Sequence, residues 1–137
     1  MENKDKNINV DKVVGFWVET SDDDYKTMVN LFKTKDYHWS LFIGHLVLEK
    51  LLKACVVKRI ADNAPFTHDL TKLAKITGLS FSENQLDWLD TITTFQLNAR
   101  YDSYKKAFYK KCSPEFTQVW FDKIEILRSW IKEELLK

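Results

Sequence analysis

With 137 residues, 45% of them hydrophobic and 14% aromatic, the chain has enough apolar surface for one compact core, and its three glycines and two prolines favour helices over loops. A formal net charge of +1 rules out a global attraction to nucleic acid, so any such binding needs a local patch. Cys55 and Cys112 stand far apart and fit no metal-ligand spacing, so neither a disulfide nor a zinc site is expected.

The opening residues, MENKDKNINV, lack the apolar core of a signal peptide, and the longest apolar stretch is interrupted by Gly44, His45, Glu49 and Lys50. These features predict a cytoplasmic protein with no membrane span. Residues 1–10 read as a flexible N-terminus and 11–137 as a single helical domain.

In chain order, Val13, Val14, Phe16, Trp17 and Val18 suit a short helix over 10–20. Ser21, with Asp24 three residues on, then reads as the N-cap of a second helix over 22–33, whose stripe is Tyr25, Met28, Val29 and Phe32. Residues 36–60 form the longest apolar segment. Fifteen apolar side chains surround most of that cylinder, which predicts a buried central helix about 37 Å long, capped by Asp36 and ended by the turn cluster Asp62, Asn63 and Pro65. Its exceptions, His38, His45, Glu49 and Lys53, fall along one face and make a polar seam. The seam fits either a satisfied contact with another helix or a functional site. Lys50 points away from it, toward solvent or a partner chain.

Thr67 is the expected cap of a helix of about three turns carrying Leu70, Leu73 and Ala74 and closing at Gly78. His68, in its first turn, is expected to be neutral and to hydrogen-bond across the loop to the central helix. Ser82 and Gln85 form a capping box before Leu86, Leu89, Ile92 and Phe95. The next segment, NARYDSYKKAFYKK, combines Arg100, Lys105, Lys106, Lys110 and Lys111 with Tyr101, Tyr104, Phe108 and Tyr109. Interleaved cations and rings suit phosphates and bases. Lysines snorkelling around a packed helix produce the same string, and that plainer reading is the one favoured here. Ser113-Pro114 starts a long final helix with Phe116, Val119, Trp120, Ile124, Leu127, Trp130 and Ile131, destined for the central helix or a dimer interface.

Trp17, then HLVLEKLLKA at 45–54, PFTHDL at 65–70 and NARY at 98–101 follow one another in an order that resembles the HEPN domain family, over about residues 13–133. The resemblance implies an all-α, up-and-down bundle of four to five helices around the long central one. It also implies a prokaryotic protein, commonly a homodimer, often encoded beside a minimal nucleotidyltransferase as a toxin–antitoxin-like pair. Many family members are metal-independent ribonucleases whose motif is Arg, four to six residues, then His. Here the corresponding positions after Arg100 are Lys105, Lys106 and Ala107; Arg59 precedes His68 by nine, and Arg128 has no His after it.

Without a side chain that titrates near neutral pH, acid–base cleavage of RNA lacks its proton carrier. The expectation is therefore a non-catalytic domain, needing no cofactor, that binds a nucleotide, RNA or a partner protein. Its expected site is a cleft where Arg100 and Lys53 hold phosphate, Tyr101 stacks, and His45, Glu49 and His68 orient them. An ion pair of Arg100 with Glu49 or Asp69 is the structural alternative for that side chain. The catalytic alternative is a ribonuclease toxin using Arg100 with a displaced histidine, His45 or His68.

Overall fold

The computed structural model describes residues 8–137, so residues 1–7, most of the expected flexible N-terminus, lie outside the described residues, as does the side chain of Asp102. Six helices follow in order: α1 Val10–Lys33, α2 Tyr37–Ile60, α3 Leu70–Thr77, α4 Glu83–Arg100, α5 Asp102–Lys111 and α6 Pro114–Leu136.

The central segment becomes α2, and fifteen of its 24 residues are buried. Helices α1, α3, α4 and α6 cover it on several sides. Helix α1 runs antiparallel to α2: the Ser21 hydroxyl donates to the Val47 carbonyl at 2.8 Å, and the Ser40 hydroxyl to the Met28 carbonyl at 2.8 Å. Helix α6 runs parallel to α2, with Ile124 against Gly44 and the Leu135 carbonyl accepting from Lys58. Gly44 sits where these helices close up, and a Cβ there would lie 2.6 Å from Ile124 Cδ1 and 3.0 Å from Met28 Sδ, side-chain atoms rather than backbone.

The two helices expected before residue 33 are one. Ser21 caps nothing; it is buried mid-helix, bonded to α2. The acidic run that suggested a helix start instead reaches other helices: Asp22 pairs with Arg128 at 3.1 Å and Lys132 at 2.9 Å, and Asp24 with Lys50 at 2.7 Å. Lys50 is thus tied to α1 rather than left for solvent or a partner.

Asp36 stands at the N-cap position of α2, but its carboxylate accepts from the Thr34 hydroxyl and caps nothing. Asp69, rather than Thr67, caps α3 by accepting from the Thr71 and Lys72 amides, and that helix is eight residues long, two turns rather than three. Gly78 closes it at φ +74°, with the Arg59 guanidinium packed against its open face. The Ser82–Gln85 capping box and the Ser113-Pro114 start form as expected.

The final helix divides its face. Ile124, Leu127 and Ile131 are buried in the shared core, while Trp120 meets Phe95 of α4 and Trp130 meets Phe81 just before it. No helix among the described residues is long and apolar enough to cross a membrane.

Candidate functional site

The polar seam of α2 is buried. His45 has no exposed surface, and Glu49 and Lys53 keep only 5% and 7% of theirs. Each Glu49 oxygen has its own partner: Lys53 Nζ lies 3.0 Å from Oε2, and His68 Nδ1 donates to Oε1 at 2.9 Å. His45 Nε2 donates to the His68 carbonyl at 2.9 Å, so in the neutral ring Nδ1 carries the lone pair; it has no partner and lies 3.8 Å from Glu49 Oε1. Burial holds His45 below the ordinary histidine range, the bond to the His68 carbonyl and the Glu49 charge working the other way.

Two hydrogen bonds from one residue therefore fasten the loop over residues 61–69 to the middle of α2. The Lys53 ammonium is further enclosed by rings, 5.3 Å from Trp17 and 5.9 Å from Phe66. Apart from the unpartnered His45 Nδ1, this is a closed network in which the Glu49 and Lys53 charges satisfy each other, the arrangement that makes buried charge tolerable.

Arg100 stands apart from it. The guanidinium is exposed in the last turn of α4, and among the described residues it makes neither a hydrogen bond nor an ion pair. Neither Glu49, held by Lys53 and His68, nor Asp69, occupied as a cap, is paired with it. Helix α4 meets the α3 start through Thr93, whose hydroxyl accepts from the Leu70 amide at 3.1 Å, and through Asp90, whose carboxylate accepts from the Thr71 hydroxyl at 3.3 Å, so that of these two Thr93 stands nearer Arg100. Arg100 lies seven residues beyond, about 10 Å further along the axis. Tyr101 forms the exposed elbow between α4 and α5. The six residues expected to share one cleft thus fall into two groups, with His45, Glu49, Lys53 and His68 in the seam and Arg100 and Tyr101 at the elbow.

The elbow leads into a different constellation. Of the described side chains from 101 to 112, only Phe108 and Cys112 are buried; Tyr104 and Tyr109 are more than half exposed. Lysines are therefore not snorkelling around a packed helix here. Beside α5 lies a shallow cavity of about 450 Å³ lined by His38, Lys105, Lys106 and Tyr109. His38, from the first turn of α2, is 9% exposed, with its ring 4.9 Å from Trp39 and edge-on to Tyr109 at 5.0 Å. Lys105 Nζ lies 4.9 Å over the Trp39 ring.

Among known families, the HEPN domain matches residues 14–135, nearly the whole described chain. The chain belongs to the HEPN domain family. No curated protein matches it. Its fold is similar to that in the crystal structure of TT1696 from Thermus thermophilus, with a TM-score of 0.73, 16% identity, and coverage of 88% of this chain and 96% of that one.

In this HEPN domain the positions five to seven beyond Arg100 are Lys105, Lys106 and Ala107, and an imidazole does reach that region, from α2. His38 was visible in the sequence as a member of the seam, yet nothing in the spacing linked residue 38 to residue 109. That link is tertiary, made when α5 folds back over the start of α2. Among the described residues, no group of three or more His, Cys, Asp or Glu is arranged to hold a metal ion.

Proposed function

We propose that this HEPN domain binds a nucleotide or RNA on the face made by the α4–α5 elbow and α5, and holds it without cleaving it. The observation that carries the reading is how little of α5 is used in packing. Of its described side chains only Phe108 is buried, with Cys112 just past its end, and residues 98–112 contain five basic residues against one acidic residue, Asp102. Cations paired with exposed rings contact phosphates and stack on bases irrespective of sequence. Arg100 supplies a planar fork for phosphate oxygens, and Tyr101 and Tyr104 supply ring faces.

The seam residues His45, Glu49, Lys53 and His68 serve this reading as framework, fixing the loop and the register of α2 rather than touching ligand. As protein partners we propose a second copy of the chain and a nucleotidyltransferase encoded beside it, on the resemblance to the nucleotidyltransferase-associated members of the family.

Titrating short single-stranded RNA and mononucleotides while following backbone amide shifts tests the proposal. Shifts should concentrate in residues 98–111, and Arg100→Ala should weaken binding by roughly tenfold, the size of one charge-assisted contact. Millimolar ligand that leaves those amides unmoved would remove the reading. Incubation with RNA in the presence of chelator tests the non-catalytic half, since cleavage lost in Arg100→Ala would make the domain a ribonuclease.

A further inference from the structure

We propose that the cavity lined by His38, Lys105, Lys106 and Tyr109 takes a terminal phosphomonoester, so that α5 reads the end of an RNA chain or a free nucleotide rather than an internal linkage. This rests on the binding role of α5 and adds which group of the ligand is held, and where.

The first observation is His38 itself. It is nine-tenths buried, yet neither ring nitrogen has a hydrogen-bond partner among the described residues, and Nδ1 is fully enclosed. The other two histidines are both hydrogen-bonded. Enclosed, Nδ1 is closed to a ligand; Nε2, which is not enclosed and has no partner among the described residues, is the nitrogen that a ligand in the cavity can meet.

The second is the company it keeps. Lys105 rests on Trp39, and Lys106 is exposed; neither meets a carboxylate among the described residues. The acidic group that acts on His38 is Asp36, whose carboxylate already accepts from the Thr34 hydroxyl at 2.6 Å. The side chains of His38, Lys105, Lys106 and Tyr109 thus line one space, and no carboxylate among the described residues lines it.

An internal phosphodiester brings a single negative charge. A terminal monoester brings about −1.5 to −2 at neutral pH and three acceptor oxygens, which matches these donors in charge and number. The cavity leaves room beyond the phosphate, and the exposed Tyr109 ring offers a face on which the terminal base can stack.

Burial and the Lys105 cation keep His38 below the ordinary histidine range, Asp36 opposing them, so the free protein carries a neutral ring at pH 7. A dianion brought against that ring favours imidazolium. The complex accordingly takes up a proton as it forms.

The experiment compares one short single-stranded RNA in three forms, unphosphorylated, 5′-phosphorylated and 3′-phosphorylated, by calorimetry at pH 7 in two buffers of different ionisation enthalpy. A phosphate at one end should tighten binding roughly tenfold, with proton uptake confined to that form; which end gains identifies the polarity. His38→Gln should abolish the advantage while leaving the unphosphorylated RNA bound as before, and Lys106→Gln should abolish it too, weakening the unphosphorylated RNA only by the loss of one α5 cation. Equal affinity for all three forms overturns the terminal-phosphate inference and leaves binding by α5 intact. Failure of every form to bind overturns both. An advantage that survives Lys106→Gln in a folded variant places the phosphate elsewhere and also defeats the inference.

Discussion

Glu49 shows how one carboxylate can organise a buried seam. Each oxygen has its own cation or imidazole, so removing it leaves the Lys53 ammonium with two rings and no counter-charge. Glu49→Ala is expected to cost about 3 kcal/mol, as for other broken buried pairs, measured by urea unfolding. The double change Glu49→Leu with Lys53→Met should recover much of that loss, because it removes both charges and fills the space.

His45 and His38 set an acid limit. Both are held below their unfolded value by burial, so the unfolded chain binds protons that the folded one does not. Their contribution is complete above about pH 6.5 and is lost as pH falls from there through the folded values. Stability measured between pH 7.5 and pH 5 should therefore decline, and His45→Gln should flatten the decline. Burial also pushes the thiols up, Cys55 to about 11 and Cys112 to about 12. Both should resist alkylation at pH 7.5 in the native protein and react fully in denaturant. At this scale the sequence was only half legible. The i,i+4 spacing of Glu49 and Lys53 was readable, and so was His68's reach across its loop. The position of Arg100 was not, because it depends on where α4 ends relative to α2.

Among the elements, the long apolar run announced α2, and the local chemistry of Ser82, Gln85, Ser113, Pro114 and Gly78 announced the boundaries it controls. Ser21 misled for a physical reason. A serine before three aspartates is good capping chemistry in isolation, but tertiary partners on α2 and α6 outweigh it and carry the helix straight through. Asp22→Ala should accordingly weaken the α1–α6 contact rather than shorten a helix.

Two glycines make contrasting tests. Gly78→Ala combines a left-handed backbone with the Arg59 guanidinium already seated over the Cα, and should lower stability by about 1 kcal/mol or more. Gly44→Ala meets only the ends of the flexible Ile124 and Met28 side chains and gains helix propensity, so it should be close to neutral. Gly44→Leu, overfilling the same contact, should cost about 1–3 kcal/mol in a thermal or urea melt.

At the scale of the molecule, a chain with a net charge of +1 carries a local excess of positive charge over residues 98–112, five basic residues against one acidic. RNA binding should therefore respond to salt as a local patch does, with log affinity falling by about 0.7 per decade of salt for each phosphate contacted, read from titrations at several ionic strengths. A flat response would point away from α5. The all-helical architecture could be read from hydrophobic periodicity alone, and the overall family from four short motifs in order. What periodicity could not supply was how loosely α5 would sit, because Phe108 and Cys112 look the same in a string whether or not their neighbours are packed.

That loose seating has a consequence for how the molecule should breathe. A ten-residue helix anchored by the buried Phe108 and by Cys112 at its C-cap opens to solvent at a small fraction of the global unfolding free energy. Deuterium should enter the amides of 102–111 well before those of α2, and a ligand spanning α5 and the start of α2 would act as a splint across them. Such binding would slow deuterium uptake in that one segment while hardly raising the melting temperature, and a screen that watched only the melt would pass over it.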